Sequence, residues 1–259
     1  IPYIEKTYRT GSFRVAIGHG KTANFINYFL LKEHPLFQAY VVISPELAPN
    51  MLDYIPEQLG KLESKIFYYL ANTKNDVSSI KKMTAALNAD ITALETKNVF
   101  YNFDSFEGTS HYSVPAHALP KAIEHIFYVF QPISKKEYKE TILKLDTSPV
   151  EYLQEKYQTI NDLFGVEKQI LINDFRAISA AIEKTEKFEY FEALGKIAHK
   201  AYPKTLLGNY YSARFYEETG ETKKAMRIYQ SAYTLDEIAG ITKDLMLEKA
   251  DLIKADFGY

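Results

Sequence analysis

The residues that could do chemistry gather in one short run, Val15-Ala16-Ile17-Gly18-His19-Gly20-Lys21-Thr22-Ala23. An apolar, β-rich stretch passes through two glycines, a histidine and a lysine into a helical pattern. Such a turn can hold an anion, because helix N-terminal N–H groups and a lysine meet there. Lys21 reads equally as a solvated side chain. Gly20-Lys21-Thr22 also resembles the end of a phosphate-binding loop, but that motif needs a glycine where Val15 stands, so nucleotide binding is rejected. Cysteine is absent, which excludes disulfides, thiolate metal ligands and a cysteine nucleophile. His34, His117, His125 and His199 show no metal-ligand spacing with carboxylates, and no metal or other cofactor is implied.

The elements that must position this run form an alternating series. Phe13–Ile17, Tyr40–Ser44, Lys65–Leu70 and Asn98–Phe103 read as strands, with helices over about 22–34, 51–61, 76–93 and 116–130. Strands spaced by helices predict an α/β layer on a mostly parallel sheet. Their apolar runs predict burial on both faces. After about residue 135 the strand signal stops. Breaks near Gly165, Pro203, Gly220 and Gly240 divide the remainder into about six helices, one of them opening at Ser148-Pro149 with Glu151 in its first turn.

The first half resembles the esterase family of the α/β-hydrolase superfamily that includes esterase-D-like and enterochelin-esterase-like hydrolases. The glycine turn fits the strand-to-helix nucleophile elbow, G-x-S-x-G. Tyr8-Arg9-Thr10 and Arg14 precede it, and the stretch from Pro35-Leu36-Phe37 to Ser44-Pro45-Glu46 follows it. Leu70-Ala71-Asn72-Thr73-Lys74-Asn75-Asp76 falls where the family places its triad acid. The loop from Phe106 to Pro115, with His111, resembles the one that carries its histidine. The resemblance implies a hydrolase-type α/β domain over residues 1–134, matching the C-terminal half of such a domain, and an all-α domain over 135–259. The family's first strands and part of its oxyanion hole would lie upstream. With no start methionine and no basic n-region, Ile1-Pro2-Tyr3-Ile4 reads as an internal cut or a processed end; no signal peptide is recognised, and an upstream one would have been lost with the cut.

One departure is central. The position of the nucleophilic serine is Gly20, and the small glycines that follow are Thr22 and Ala23. A serine hydrolase needs an Oγ activated by a histidine, and glycine has none, although it tolerates the elbow backbone. The implied site is Gly20 at the nucleophile position, Asp76 and His111 as acid and histidine, and His19 and Lys21 as substrate-binding residues. Each has a plainer reading: a glycine-rich turn, a helix cap for Asn75-Asp76, a surface loop for His111. Thr22 lies off the elbow tip, and Ser44 and Ser110 read as strand-end and loop hydroxyls.

In the second half, Asn209–Gly220 followed by Glu221–Ala232 resembles one tetratricopeptide unit near 206–239. Ala213, Tyr216, Gly220, Ala225, Tyr229 and Ala232 fall on its small, aromatic, turn, small, aromatic and small positions, with Glu237 where the closing proline stands. Stacking needs about three units, so a long binding groove is not expected. The 21 tyrosines suit helix-pair packing as well as binding.

Composition sets the outer bounds. With 46% hydrophobic and 25% charged residues over 259 positions, the chain can bury a core of one or two domains. A net charge of −2 argues against nucleic acid as a partner. No apolar run approaches the roughly 18 residues of a membrane span. The compartment is not fixed by any of this. The reading is a hydrolase homologue without its nucleophile, which binds a small ester or acyl ligand or a protein. An active ester hydrolase with another nucleophile and a helical adaptor are the alternatives.

Overall fold

The computed structural model describes residues 1–258 and all of their side chains except that of Ala232. It divides the chain into two compact units, Ile1–Phe130 with Asp162–Val166, and Gln131–Asn161 with Glu167–Tyr259.

The first unit runs α1 (Pro2–Thr7), β1 (Val15–His19), α2 (Lys21–Leu30), β2 (Ala39–Ile43), α3 (Met51–Lys61), β3 (Ile66–Thr73), α4 (Ser78–Thr92), β4 (Val99–Phe106) and α5 (Val114–Ile126). The four strands form one parallel sheet in the order β1-β2-β3-β4. Side chains alternate across it with a period of two. Ala16, Tyr40, Val42, Tyr68 and Leu70 enter one core with Ala23, Leu30, Ile55, Leu59 and Leu87 of α2, α3 and α4. On the other face Phe67 meets Phe13, Phe100, His125 and Phe164. β2 and β3 are buried at every residue, as expected for strands covered on both faces.

The edge strands correct that expectation. β1 pairs only with β2 among the described residues, and Ile17 is 54% exposed. α5 packs on β2, β3 and β4, so its cover stops short of β1. β4 is only half-buried. Boundaries shift too. α2 ends at Leu30 rather than residue 34, because Lys32–Pro35 offers no apolar face and a proline closes the stretch. The last helix is α5 followed by a short 3₁₀ turn, Tyr128–Phe130.

Among the described residues the second unit has helices as its regular elements, with two isolated bridges: α6 (Lys135–Glu140), α7 (Pro149–Phe164, its last turn within the first unit), α8 (Ile172–Thr185), α9 (Tyr190–Ala201), α10 (Leu206–Glu218), α11 (Thr222–Ser231) and α12 (Lys243–Phe257). α6 opens on a reciprocal cap, in which Ser134 Oγ accepts from the Glu137 N–H and the Glu137 carboxylate accepts from the Ser134 N–H. Ser148 Oγ accepts from the N–H groups of Val150 and Glu151 at the start of α7. Among the described residues there are seven α-helices, where the breaks in the sequence suggest about six. The break after α8 has no glycine or proline to signal it; Glu186 takes the left-handed conformation, φ 56°.

α10 and α11 turn at Gly220, φ 87°, and bury Ala213, Ala225 and Tyr229. Tyr216 is half-buried, and the side chain of Ala232 lies outside the described residues. Three elements converge on one carboxylate. Glu217 of α10 accepts from Tyr229 Oη at 2.7 Å and from Lys249 Nζ of α12 at 3.1 Å, with Arg214 at 3.3 Å. Burial by itself would raise the Glu217 carboxyl, but these donors and charges hold it below its ordinary value.

Two predictions follow from this packing. Ala225→Leu would overpack the α10–α11 contact and cost about 1–3 kcal/mol in denaturant melts. Lys224→Ala, which loses a cation over the Tyr216 ring and a solvent-screened pair with Glu221, would cost clearly less than Ala225→Leu. Equal losses would remove the close contact. Second, a carboxyl depressed in the folded state stabilises fully above the ordinary glutamate value near ~4.3 and loses that contribution as pH falls through its lowered value. Glu217→Gln should therefore be less stable at neutral pH and lose less stability on acidification than wild type. Parallel pH–stability profiles would show that Glu217 is not the linked group.

Candidate functional site

The site forms where the C-terminal ends of β1, β2, β3 and β4 meet the helices that follow. Gly18 and Gly20 shape the first corner. A Cβ on Gly18 would lie 2.5–2.6 Å from the backbone of Thr22 and Ala23, so only glycine lets α2 approach β1 this closely. Gly20 has φ 59° and ψ −121°, a backbone that L side chains rarely adopt. Its N–H donates to the Ile43 carbonyl at 3.0 Å, and its carbonyl accepts from the Glu46 N–H at 3.1 Å. The corner is thereby pinned to the end of β2.

Asp76 and His111 come together from two other loops. His111 Nδ1 and Asp76 Oδ1 are 2.6 Å apart. Asp76 Oδ2 accepts from Ser44 Oγ at 2.6 Å and from the Thr73 N–H at 3.0 Å. The Asp76 carboxylate is fully buried and does not cap α4, whose N-cap is Val77. With the other donors in place, the carboxylate takes its third bond from His111 Nδ1–H. That fixes the neutral imidazole with Nε2 as acceptor. The two loops are laced together: Thr73 Oγ1 and Asn75 Nδ2 donate to the Thr109 carbonyl at 2.7 and 2.8 Å, and Thr109 Oγ1 donates to Thr73 Oγ1.

His111 Nε2 faces the elbow. It lies 3.8 Å from where a Cβ on Gly20 would stand, and Glu46 Oε1 lies 3.4 Å from the same point. The His19 and His111 rings are 4.4 Å apart. Burial, then the charge at His111, push His19 below its ordinary value, against smaller raising contributions from a His111 backbone hydrogen bond, Asp76 and Glu46. His19 Nε2 has no hydrogen-bond partner among the described residues. Thr22 Oγ1 donates to the His19 carbonyl and accepts from the His19 N–H, so its hydroxyl is turned away from a nucleophile's role. Lys21 is exposed at the rim of an open cleft of about 650 Å³, which Glu46, Leu47, Val77, Ile80, Met83, His111 and Tyr112 also line.

The residues singled out in the sequence thus lie around one corner: Gly20, His19, Asp76 and His111 within it and Lys21 at its rim. Ser44 and Glu46 are additions. Ser44 is buried at φ 43° with its hydroxyl on Asp76, a strained position of the kind that collects near functional sites. The Ser44-Pro45-Glu46 run directly after β2 was the only signal for either. Among the described residues no group of three or more His, Asp and Glu could hold a metal, and no helix is long and apolar enough to cross a membrane.

This corner and sheet define a hydrolase-like α/β fold. An IroE-like serine hydrolase from Shewanella oneidensis matches with a TM-score of 0.52 at 20% identity over 76% of this chain; the chain spans 62% of that protein. At that identity the likeness shows the fold alone. An uncharacterised protein from Capnocytophaga ochracea DSM 7271 matches far more fully, with a TM-score of 0.90 and 30% identity over 98% of this chain and 72% of that one. The chain belongs to the family of that protein. No family model matches the chain, and no curated protein does.

Ser44→Ala should remove one of three donors from a buried carboxylate and cost roughly 1.5–3 kcal/mol. The Asp76 carboxylate remains as acceptor for Nδ1–H, so the Nδ1–H tautomer of His111 should persist, read from imidazole ¹⁵N shifts at neutral pH. A switch to the Nε2–H tautomer would show that Ser44 orients the carboxylate for His111.

Proposed function

We propose that this protein is a hydrolase homologue that has no acyl-enzyme chemistry and uses the corner around Gly20 to bind a ligand. A single observation carries the reading. His111, paired with Asp76, turns Nε2 toward residue 20, and residue 20 has no side chain to activate. In a serine hydrolase the histidine takes the proton of Oγ as Oγ attacks the carbonyl. Here Gly20 is the nucleophile position without its serine, Asp76 and His111 are the acid and histidine, and His19 and Lys21 are the substrate-binding residues beside them. The neighbouring hydroxyls support the same reading, since those of Thr22 and Ser44 are both committed elsewhere. The ligand class by resemblance is a small ester or acyl compound.

We further propose the organisation that goes with this reading: a hydrolase-type domain over residues 1–134 and an all-α domain over 135–259. In the latter, a tetratricopeptide-like pair near 206–239 would meet a protein partner. Burial of Ala213, Ala225 and Tyr229 around the left-handed Gly220 supports the pair.

A fluorophosphonate probe and a panel of short p-nitrophenyl esters test the reading. The expected result is no labelled residue and no turnover above background. Stoichiometric labelling of one Ser or Thr, or turnover lost in His111→Ala, would establish an ester hydrolase with a different nucleophile.

A further inference from the structure

Two hydrogen-bond acceptors converge on Gly20. Glu46 Oε1 and His111 Nε2 lie 3.4 and 3.8 Å from the point where its Cβ would stand. In its neutral form His111 keeps its proton on Nδ1 at the Asp76 bond, and Nε2 then presents a lone pair. The Glu46 side chain is exposed, and its carboxylate acts on His19 through its charge. The hydroxyls of Ser44 and Thr22 are taken, by Asp76 and by the His19 carbonyl; Ser79 and the exposed Lys21 line the cleft as well. Beside this pair runs the open cleft of about 650 Å³, with Leu47, Val77, Ile80, Met83 and Tyr112 along it. That volume lies in the range of small-molecule sites, which are mostly apolar with a few placed polar groups. Val77 and Tyr112 are exposed, at 62% and 88%, so apolar surface at the mouth is open to an arriving chain.

We infer that this cleft binds an amphiphile whose head donates hydrogen bonds, a primary alcohol or a protonated amine, on an alkyl or aryl arm. The head sits at Gly20 between Glu46 and His111 Nε2, and the arm lies along Leu47, Ile80 and Met83. A carboxylate head at Gly20 is disfavoured, because it would bring a second anion against Glu46 and meet a lone pair at Nε2, with the exposed Lys21 at the rim as the opposing charge. This inference rests on the binding reading above and names the ligand chemistry of the same site.

Hexan-1-ol, hexylammonium and hexanoate share one arm and differ only in the head. Each would be titrated into the full chain and followed by NMR at the His111 ring and at the methyls of Leu47, Ile80 and Met83. Fragments of this size bind with Kd of roughly millimolar order. The expected result is that the alcohol and the ammonium shift both sets of signals, while hexanoate binds at least about tenfold more weakly. Glu46→Gln should weaken hexylammonium by about tenfold and hexan-1-ol by only a few-fold, which separates the charged head from the neutral one. Hexanoate binding as tightly as the other two would overturn the inference. So would the absence of binding by all three at about ten times that Kd, or shifts that leave His111 unmoved. The wild-type comparison needs no variant. Probe labelling of the wild type would strike the underlying reading, whereas tight hexanoate binding would strike this inference alone.

Discussion

The Asp76 carboxylate joins three separate pieces of chain. Ser44 reaches it from the end of β2, the Thr73 N–H from the end of β3, and His111 from the loop after β4. A buried carboxylate is costly unless its oxygens are occupied, so each of these donors is under pressure to stay. The parallel sheet makes the meeting possible, since it brings every strand's C-terminal end to one edge. The Thr73–Thr109 and Asn75–Thr109 bonds then lock the two loops to each other. Where His111 points is thus settled by Asp76 and its donors rather than by the side chain of residue 20.

At the elbow, backbone geometry and chemistry are separable. The close approach of Gly18 to α2 and the positive φ of Gly20 are backbone features, and they stand without any nucleophile. Glu46 is placed by its own N–H on the Gly20 carbonyl, so its carboxylate arrives as a consequence of the corner. The result is a polar corner whose side chains accept at its centre, an arrangement that differs in sign from one built around a serine hydroxyl.

Much of this was legible in the sequence for clear reasons. β2 and β3 are unbroken apolar runs because helices cover both their faces. The glycine spacing marked the turn because a Cβ on Gly18 would collide with the backbone of α2, and the positive φ of Gly20 favours glycine. Asp76 and His111 could be named only through the family resemblance, since they are 35 positions apart and nothing local relates them. Ser44 was read as a strand-end hydroxyl because its partner lies 32 residues away. The exposure of Ile17 escaped notice for a similar reason. An apolar residue in a strand reads as buried, and only the extent of α5's cover decides otherwise. The end of α8 at Glu186 was hidden by a non-glycine residue in a glycine-like conformation.

The Asp76–His111 bond does not by itself argue for catalysis. Asp76 has a structural role whatever happens at residue 20, because removing it would leave Ser44 and Thr73 without their acceptor in a buried place. His111 is different. Its side chain is 25% exposed, its loop is already held by Thr73 and Asn75, and its Nε2 contributes nothing to that scaffold. The free acceptor faces Gly20 and Glu46 rather than the protein interior. With no hydroxyl on residue 20, the elbow position itself offers that acceptor no side-chain donor.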